Sequence, residues 1–372
     1  MNKSKVMLFA YDGSGLGHLM RLVKIASGFS KDVQILVVSG HNALSEVVHG
    51  NMGYYKLPNF YDERDKGKDD VVVNALRMKE LWDIINKFKP DAFITDYLPL
   101  GKRCELLPIV TRYKTKKYFI LRSEIGGDFL MHNDVFSKRN LLFLERNYDK
   151  IYVASDRIIQ DESIYDWLPQ SIQQKMVFSG CVTYKVTKEE VYNTRKKFET
   201  LNKKWVVCSV GGGKKGCEYI KECITIASKV DNKDYVFDIV LGYYSPISLL
   251  SFGELIRDNS NLRIHKSIKN LYLLNASADV VICSGAYNSL LESMQGKIKT
   301  IIAMSVMNDE KENEQTNNII RLSEYYDIRR INDIKELESV LNDATKFEPI
   351  VKTNGLNING IEYISKDIER QL

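Results

Sequence analysis

A chain of 372 residues, 27% charged and 44% apolar, is longer than one ordinary core and too evenly mixed to stay unfolded, which sets an expectation of two soluble globular domains. Seven prolines and 22 glycines exclude fibrous and low-complexity readings, and no apolar run approaches the ~18 residues of a spanning helix. The net charge of +5 equals the local excess of 101–150, eleven Lys/Arg against six Asp/Glu, so the domain-wide basic bias of a nucleic-acid binder is missing and no nucleic-acid partner is expected.

The first apolar run, 6–10, is shorter than the roughly 7–15 residues of a secretory signal core, so the chain is expected in the cytoplasm. Short β-rich runs follow at 33–38, 92–95, 118–121, 151–154 and 177–179, with helix-like stretches at 17–29, 70–88, 101–112 and 134–148. The alternation restarts with strands at 205–210, 236–241, 262–264, 280–283 and 300–303 and helices at 216–230, 246–257, 286–295 and 310–324. Strands alternating with helices predict parallel sheets covered by helices, here in two successive α/β units. The polar stretch 182–203 is read as the seam, which gives a first domain over 1–181 and a second over 204–350. The tail 351–372 places Ile358, Ile361, Ile364 and Ile368 at helical spacing and predicts a helix packing back on the body. Cys104, Cys181, Cys208, Cys217, Cys223 and Cys283 form neither a CxxC pair nor a His-containing metal spacing, so they read as reduced core residues. The basic cluster Arg112, Lys114, Lys116 and Lys117 suits a solvated helix end, an anionic substrate or an acidic membrane surface, the last implying peripheral contact at the inner membrane face through 101–150.

Four segments carry candidate chemistry. Asp12-Gly-Ser-Gly-Leu-Gly-His18 follows the first strand and opens a helix containing Arg21; Gly15 and Gly17 let the backbone approach a ligand, and His18 reads as a base or as a helix-start residue bonded to backbone. The spacing is not the GxGxxG of dinucleotide folds. Gly211-Gly212-Gly213-Lys214, again between strand and helix, offers N–H donors and charge to a diphosphate, or is a plain tight turn; it is not a Walker loop. In Ser284-Gly285-Ala286-Tyr287-Asn288-Ser289-Leu290-Leu291-Glu292, small residues open a helix start to phosphate and Glu292, about two turns in, is placed to accept bonds from paired ribose hydroxyls. Glu314-Gln315 begins a polar helix, with ordinary surface polarity as the alternative.

In this order the segments FAYDGSGLGHLMR, DAFITDYLPLGKRCELLP, SVGGGKKG, ICSGAYNSLLE and ENEQTNN resemble the GT-B glycosyltransferases, particularly the MurG-like branch (glycosyltransferase family 28) and the neighbouring group of predicted glycosyltransferases. The resemblance implies an α/β fold of two Rossmann-like parallel-sheet domains facing across a cleft, with the nucleotide-sugar donor held mainly by the second and the acceptor by the first. It also implies ribose binding by Glu292, reading of donor-sugar hydroxyls by Gln315, a diphosphate loop at Gly212 and Gly213, and a place for His18 in the first-domain glycine loop. Gly15, Gly17, Arg21, Arg122 and Glu124 fall on the acceptor side. GSGLGH replaces the GGTGGH of muramyl-type enzymes and 121–124 departs from their acceptor-side sequence, which argues against a muramyl acceptor.

Transfer with inversion needs a base, charge relief for the leaving diphosphate and a grip on the sugar. His18 is the leading base and Asp96 the reserve, with capping of the following turn as the alternative for Asp96. Helix starts and Lys214 supply charge relief and no DxD occurs, so the expectation is a metal-independent hexosyltransferase with no cofactor beyond its nucleotide-sugar co-substrate, UDP by default. The acceptor, a small molecule, lipid or glycan, stays open. The rivals are a nucleotide-sugar hydrolase of the same fold and a non-catalytic sugar-nucleotide-binding protein.

Overall fold

The computed structural model describes residues 3–12, 15–123, 135–212, 216–230, 234–253, 260–295, 300–305, 314–344 and 355–372. The chain divides into two compact units, one of residues 1–183 with 356–372, the other of residues 184–355.

The first unit is built on β1 (Lys5–Ala10), β2 (Gln34–Ser39), β3 (Met52–Lys56), β4 (Ala92–Asp96), β5 (Lys116–Arg122), β6 (Lys150–Ala154) and β7 (Met176–Phe178). They form one sheet in the order β3-β2-β1-β4-β5-β6-β7, with every pairing parallel. Its strands read as near-continuous apolar runs because both faces are covered. Met7, Phe9, Phe93, Phe119 and Leu121 pack on one face with Leu81 and Ile85 of a long helix, whereas Val6, Leu8, Ile94 and Ile120 pack on the other with Leu22 and Ala26.

The helices used below are α1 (Gly17–Ser27), α2 (Phe60–Asp65), α3 (Asp70–Phe88) and α4 (Leu107–Arg112) in this unit. The Asp69 side chain caps α3 by accepting from Val71 N, which explains why its start is readable. The helix expected over 101–112 begins only at Leu107, because Gly101 and Cys104 take positive φ values of 80° and 64° and Pro108 then suits a first turn. Strand β3 was not expected: it is short, half-exposed and lies at the sheet edge, so it lacks the apolar run of its neighbours.

In the second unit β8 (Lys204–Ser209), β9 (Tyr235–Val240), β10 (Leu262–His265), β11 (Val280–Ser284), β12 (Thr300–Met304) and β13 (Ile328–Arg330) form a parallel sheet in the order β10-β9-β8-β11-β12-β13. The three-residue edge strand β13 had no counterpart in the sequence reading. The stretch 182–203, read as a seam, carries α5 (Lys188–Lys197), closed at its start by a Thr187/Glu190 capping box. Arg195 of α5 donates to Ser277 O and the Asp279 carboxylate, so this helix is part of the second unit. The helix expected over 246–257 is a 3-10 turn at Leu249–Phe252, with 254–259 outside the described residues. The others needed below are α6 (Cys217–Lys229), α7 (Leu271–Ser277), α8 (Tyr287–Ser293) and α9 (Glu314–Leu322).

The tail forms α10 (Gly360–Glu369), whose Ile364 and Ile368 bury among Val23, Ile25 and Ala26 of α1 in the first unit. The Tyr152 hydroxyl and Lys150 ammonium both donate to Asp367, at 2.5 and 2.7 Å, fastening it across the far strands. Among the described residues no helix is long and apolar enough to cross a membrane.

Candidate active site

In both sheets the strand order reverses direction beside the first strand of the unit, and ligands in such sheets bind outside the carboxyl ends of the strands at that switch point. In the first unit the switch lies between β1 and β4, where Ala10 pairs with Asp96. Each strand feeds one of the two residues nominated as bases.

The connection after β1 leads into α1, which presents His18 and, one turn later, Arg21 on the same face. Asp96, the last residue of β4, is fully buried. Arg21 donates to both of its oxygens, Nε to Oδ2 and Nη2 to Oδ1, each at 2.8 Å. His18 Nδ1 lies 3.0 Å from Oδ1 and 2.9 Å from Arg21 Nη2. That nitrogen serves one partner at a time: protonated, it donates to Asp96 and leaves the Nε2 lone pair free; unprotonated, it accepts from Arg21. Burial would raise the Asp96 carboxyl, but Arg21 and His18 outweigh it and hold the group below its ordinary value. Burial lowers the His18 imidazole, the Arg21 and Arg122 charges add to that, and Asp96 opposes it. The balance favours the neutral ring. Both carboxylate oxygens of Asp96 are thus engaged by Arg21 and His18.

An aromatic wall surrounds the imidazole. Tyr11 meets it edge-on at 5.2 Å and Tyr97 lies tilted against it at 4.8 Å, while the Arg122 guanidinium sits 4.7 Å over the Tyr97 ring. Tyr97 holds φ = 74°, a left-handed conformation costing a non-glycine residue about 1–3 kcal/mol. That conformation immediately follows Asp96 and turns the ring onto His18. Gly17 is the first residue of α1, and a Cβ on Gly15 would meet nothing within 4 Å, so packing inside the protein does not demand glycine there. Glu124 lies outside the described residues, as do Gly13 and Ser14 of the loop.

Behind this site is a buried ion cluster absent from the sequence reading. Arg77 of α3, fully buried, donates to both oxygens of Asp12 at 2.7 and 2.9 Å, to Glu105 at 3.1 Å and to Pro58 O at 2.7 Å. Its guanidinium lies 4.6 Å over Phe60, the first residue of α2. Gly40 is required beside it, since a Cβ there would stand 2.5 Å from Nη1. Asp12 is the first residue of the glycine-rich segment, so Arg77 anchors that segment at its start. His41, also buried, hydrogen-bonds the backbone of Gly15 and accepts from Ala43 N through Nδ1. A signal was present: Val73, Arg77, Leu81 and Ile85 form the buried stripe of α3, and an arginine within an apolar stripe requires partners.

The switch point of the second sheet lies between β8 and β11, where Ser209 pairs with Cys283. Gly212 follows β8, and its carbonyl accepts from Tyr244 N at 2.7 Å, joining the loops after β8 and β9. Gly213 and Lys214 lie outside the described residues. Ser284 ends β11, Gly285 and Ala286 make the turn, and α8 carries Asn288, Ser289 and Glu292. A Cβ on Gly285 would fall 2.3 Å from Gln315 O, so glycine is the residue that lets this turn touch α9. The Asn318 amide donates to Gly285 O at 3.0 Å and the Ser305 hydroxyl to Gln315 Oε1 at 3.4 Å. Glu314, the first residue of α9, is half-buried. The GAYNSLLE and EQ segments, far apart in sequence, thus form one surface in which Gln315 is held against Gly285. Glu292 is half-buried, and its charge reaches Tyr272 of α7, whose ring lies tilted against Tyr184 at 4.4 Å.

Two doubly wound parallel-sheet units, with the last helix of the chain belonging to the first, define the GT-B fold of glycosyltransferases. No family model matches the sequence, and no curated protein does. Solved structures do match in fold. The chain is similar to TcCGT1, solved in complex with UDP, at 15% identity and TM-score 0.63 over 100% of both chains. It is similar to the Acinetobacter baumannii MurG at 13% identity and TM-score 0.55 over 99% of each chain. It is also similar to Anabaena HepE, solved with UDP-glucose, at 12% identity and TM-score 0.56, covering 99% of this chain and 100% of that one.

Proposed function

We propose that this chain is a glycosyltransferase that moves a sugar from a nucleotide sugar, UDP by default, to an acceptor hydroxyl with inversion. The observation that carries the reading is the His18–Asp96–Arg21 constellation at the β1/β4 switch point: a neutral imidazole, oriented by a buried carboxylate that is itself fixed by an arginine. In the proposed step, Nε2 of His18 takes the proton from the acceptor hydroxyl. The oxygen then bonds to the anomeric carbon as the bond from that carbon to the donor diphosphate breaks, and the electron pair leaves with the diphosphate. Asp96 accepts the Nδ1–H bond and stabilises the imidazolium that forms.

The donor is assigned to the second unit, with diphosphate at the loop 211–214 and the turn 284–286, ribose at Glu292 and sugar hydroxyls at Gln315. The backbone N–H groups there relieve the charge of the leaving group, so we propose transfer that needs no metal. The UDP and UDP-glucose held by TcCGT1 and HepE support the choice of nucleotide. Nucleotide release from UDP-sugars, measured with and without hydroxyl acceptors and with EDTA, tests the reading. A transferase turns over only with acceptor and survives chelation; turnover on water alone identifies a hydrolase, and binding without turnover a carrier.

A lipid-borne acceptor, reached by peripheral membrane contact through 101–150, is favoured by one surface. Val71, Val72 and Leu76 of α3 are 75%, 52% and 39% exposed, while Asn74 bonds Arg103 O and Lys102 lies over Tyr61. An apolar ridge beside Lys102 is a surface that suits a bilayer interface, with Arg103 next to it paired to Asp70. Flotation with anionic vesicles, lost in Val71→Glu/Leu76→Glu, is the expected outcome.

A further inference from the structure

The amino ends of the strands in the first sheet carry a second constellation that the proposed transfer does not use. Lys3, Lys5, Lys31, Lys89, Gln34, Asn51, Asp91 and Val33 line a depression of about 900 Å3. The fold brings these residues together from separate segments. Lys5 is the first residue of β1 and Gln34 the first of β2, Asn51 precedes β3, Asp91 precedes β4, Lys31 follows α1 and Lys89 caps the end of α3 from just beyond it. Among the described residues none of the four lysines is ion-paired. Lys3 donates to Lys31 O at 3.0 Å, Lys5 lies 5.7 Å from the Phe88 ring, and Asp91 is occupied by the Lys5 backbone N–H. Four lysines and one carboxylate thus line one hollow large enough for a small ligand. A multiply charged anion lying among the lysines is attracted by each.

We infer that this depression binds a compact phosphate-bearing anion. Lys3, Lys5, Lys31 and Lys89 supply the charge, and the amides of Gln34 and Asn51, which have no side-chain partner among the described residues, supply directional bonds. A condensed phosphate or a phosphorylated lipid headgroup presents this chemistry, as several negative oxygens within a few ångströms. The site is separate from the His18 constellation, because β1 runs six residues from Lys5 to Ala10, about 17 Å at the ~3.3 Å rise of a strand. It stands independently of the transferase reading.

Sodium tripolyphosphate, titrated calorimetrically into the full chain with UDP in saturating excess, tests the site against Lys3→Ala/Lys5→Ala/Lys31→Ala. These side chains lie at the surface, and the melting temperature of the variant reports that it is folded. A control variant, Lys185→Ala/Lys188→Ala/Lys221→Ala, removes the same charge from the other unit. The expected result is one equivalent of tripolyphosphate on the wild type, weakened roughly tenfold to a hundredfold in the first variant and unchanged in the control. Absence of binding, or equal weakening in both variants, overturns the proposal. Cosedimentation with phosphatidylcholine vesicles carrying phosphatidic acid separates the sources. Lysine-dependent vesicle binding marks a lipid headgroup; calorimetric binding with no lysine-dependent cosedimentation marks a free phosphate. A UDP titration that shows no binding counts against the donor assignment alone, since the lysine variants still read this site.

Discussion

The switch point of the first sheet is crowded with internal charge, whereas that of the second is shaped by small residues and backbone. His18, Asp96 and Arg21 complete one another, with Tyr97 held in a strained conformation against them and Arg77 fixing Asp12 behind. Around Gly212, Ser284 and Gly285 the bonds described join backbone to backbone or an amide to a carbonyl, as Tyr244 to Gly212 and Asn318 to Gly285. The contrast teaches that the two sites are preorganised in different ways. On the proposed reading, the first orients a proton-transfer group before substrate arrives, and the second is a close-fitting surface for the donor. Substitutions in the first should therefore affect stability and chemistry together, and those in the second should affect chiefly donor affinity.

The largest effect that sharpens this contrast is expected from Asp96→Asn. It leaves Arg21 buried beside a neutral amide, a loss of about 3–5 kcal/mol for a broken buried pair, and removes the acceptor that orients Nδ1–H. Denaturant unfolding and single-turnover rates should both fall; full stability together with full activity would dissolve the distinction. Glu292→Gln should leave the melting temperature near that of the wild type and weaken nucleotide-sugar binding by roughly 1.5–3 kcal/mol, the usual range for a bond to a charged acceptor. Unaltered donor affinity by calorimetry would remove Glu292 from the site. The smallest effect concerns pH. A base whose imidazole is held below 6.5 gives kcat/KM an acid limb below pH 6.5, and activity falls as pH drops through that limb because the ring takes up its proton. Arg122→Gln removes one of the charges that lower His18, so the limb should move upward, toward 6.5. A downward or absent shift separates Arg122 from the imidazole.

The same folded-state lowering makes a stability statement. The unfolded imidazole binds protons more readily than the folded one, so His18 disfavours folding as pH falls below 6.5 and has no such effect above it. His41, likewise lowered by burial, acts in the same direction.

The central strands were legible because burial on both faces writes continuous apolar runs such as 6–10, 118–121 and 280–283 into the sequence. The edge strands β3 and β13 were not, since half-exposed pairs such as Tyr54 and Tyr55 or Arg329 and Arg330 carry no such signature. Over 246–257 the apolar residues Leu249, Leu250 and Phe252 imitate a helical face, yet the structure places a 3-10 turn there. At the site, His18 and Asp96 were each visible at the end of a strand but as competitors for one role. Only the β1/β4 pairing brings residues 78 positions apart together and makes them partners. Gly285 illustrates a different limit: its neighbourhood with Gln315 depends on how α9 returns over β11 and β12, which no local pattern encodes.

The central claim, that the first unit supplies a base and the second holds the donor, is tested most directly by His18→Ala examined by single-turnover transfer and by donor calorimetry on the same preparation. The account predicts a chemical step slower by ~10²–10⁴ per folded molecule, with donor affinity near that of the wild type. Wild-type transfer in a folded His18→Ala protein, or a loss of donor affinity that explains the whole decline in rate, would contradict it.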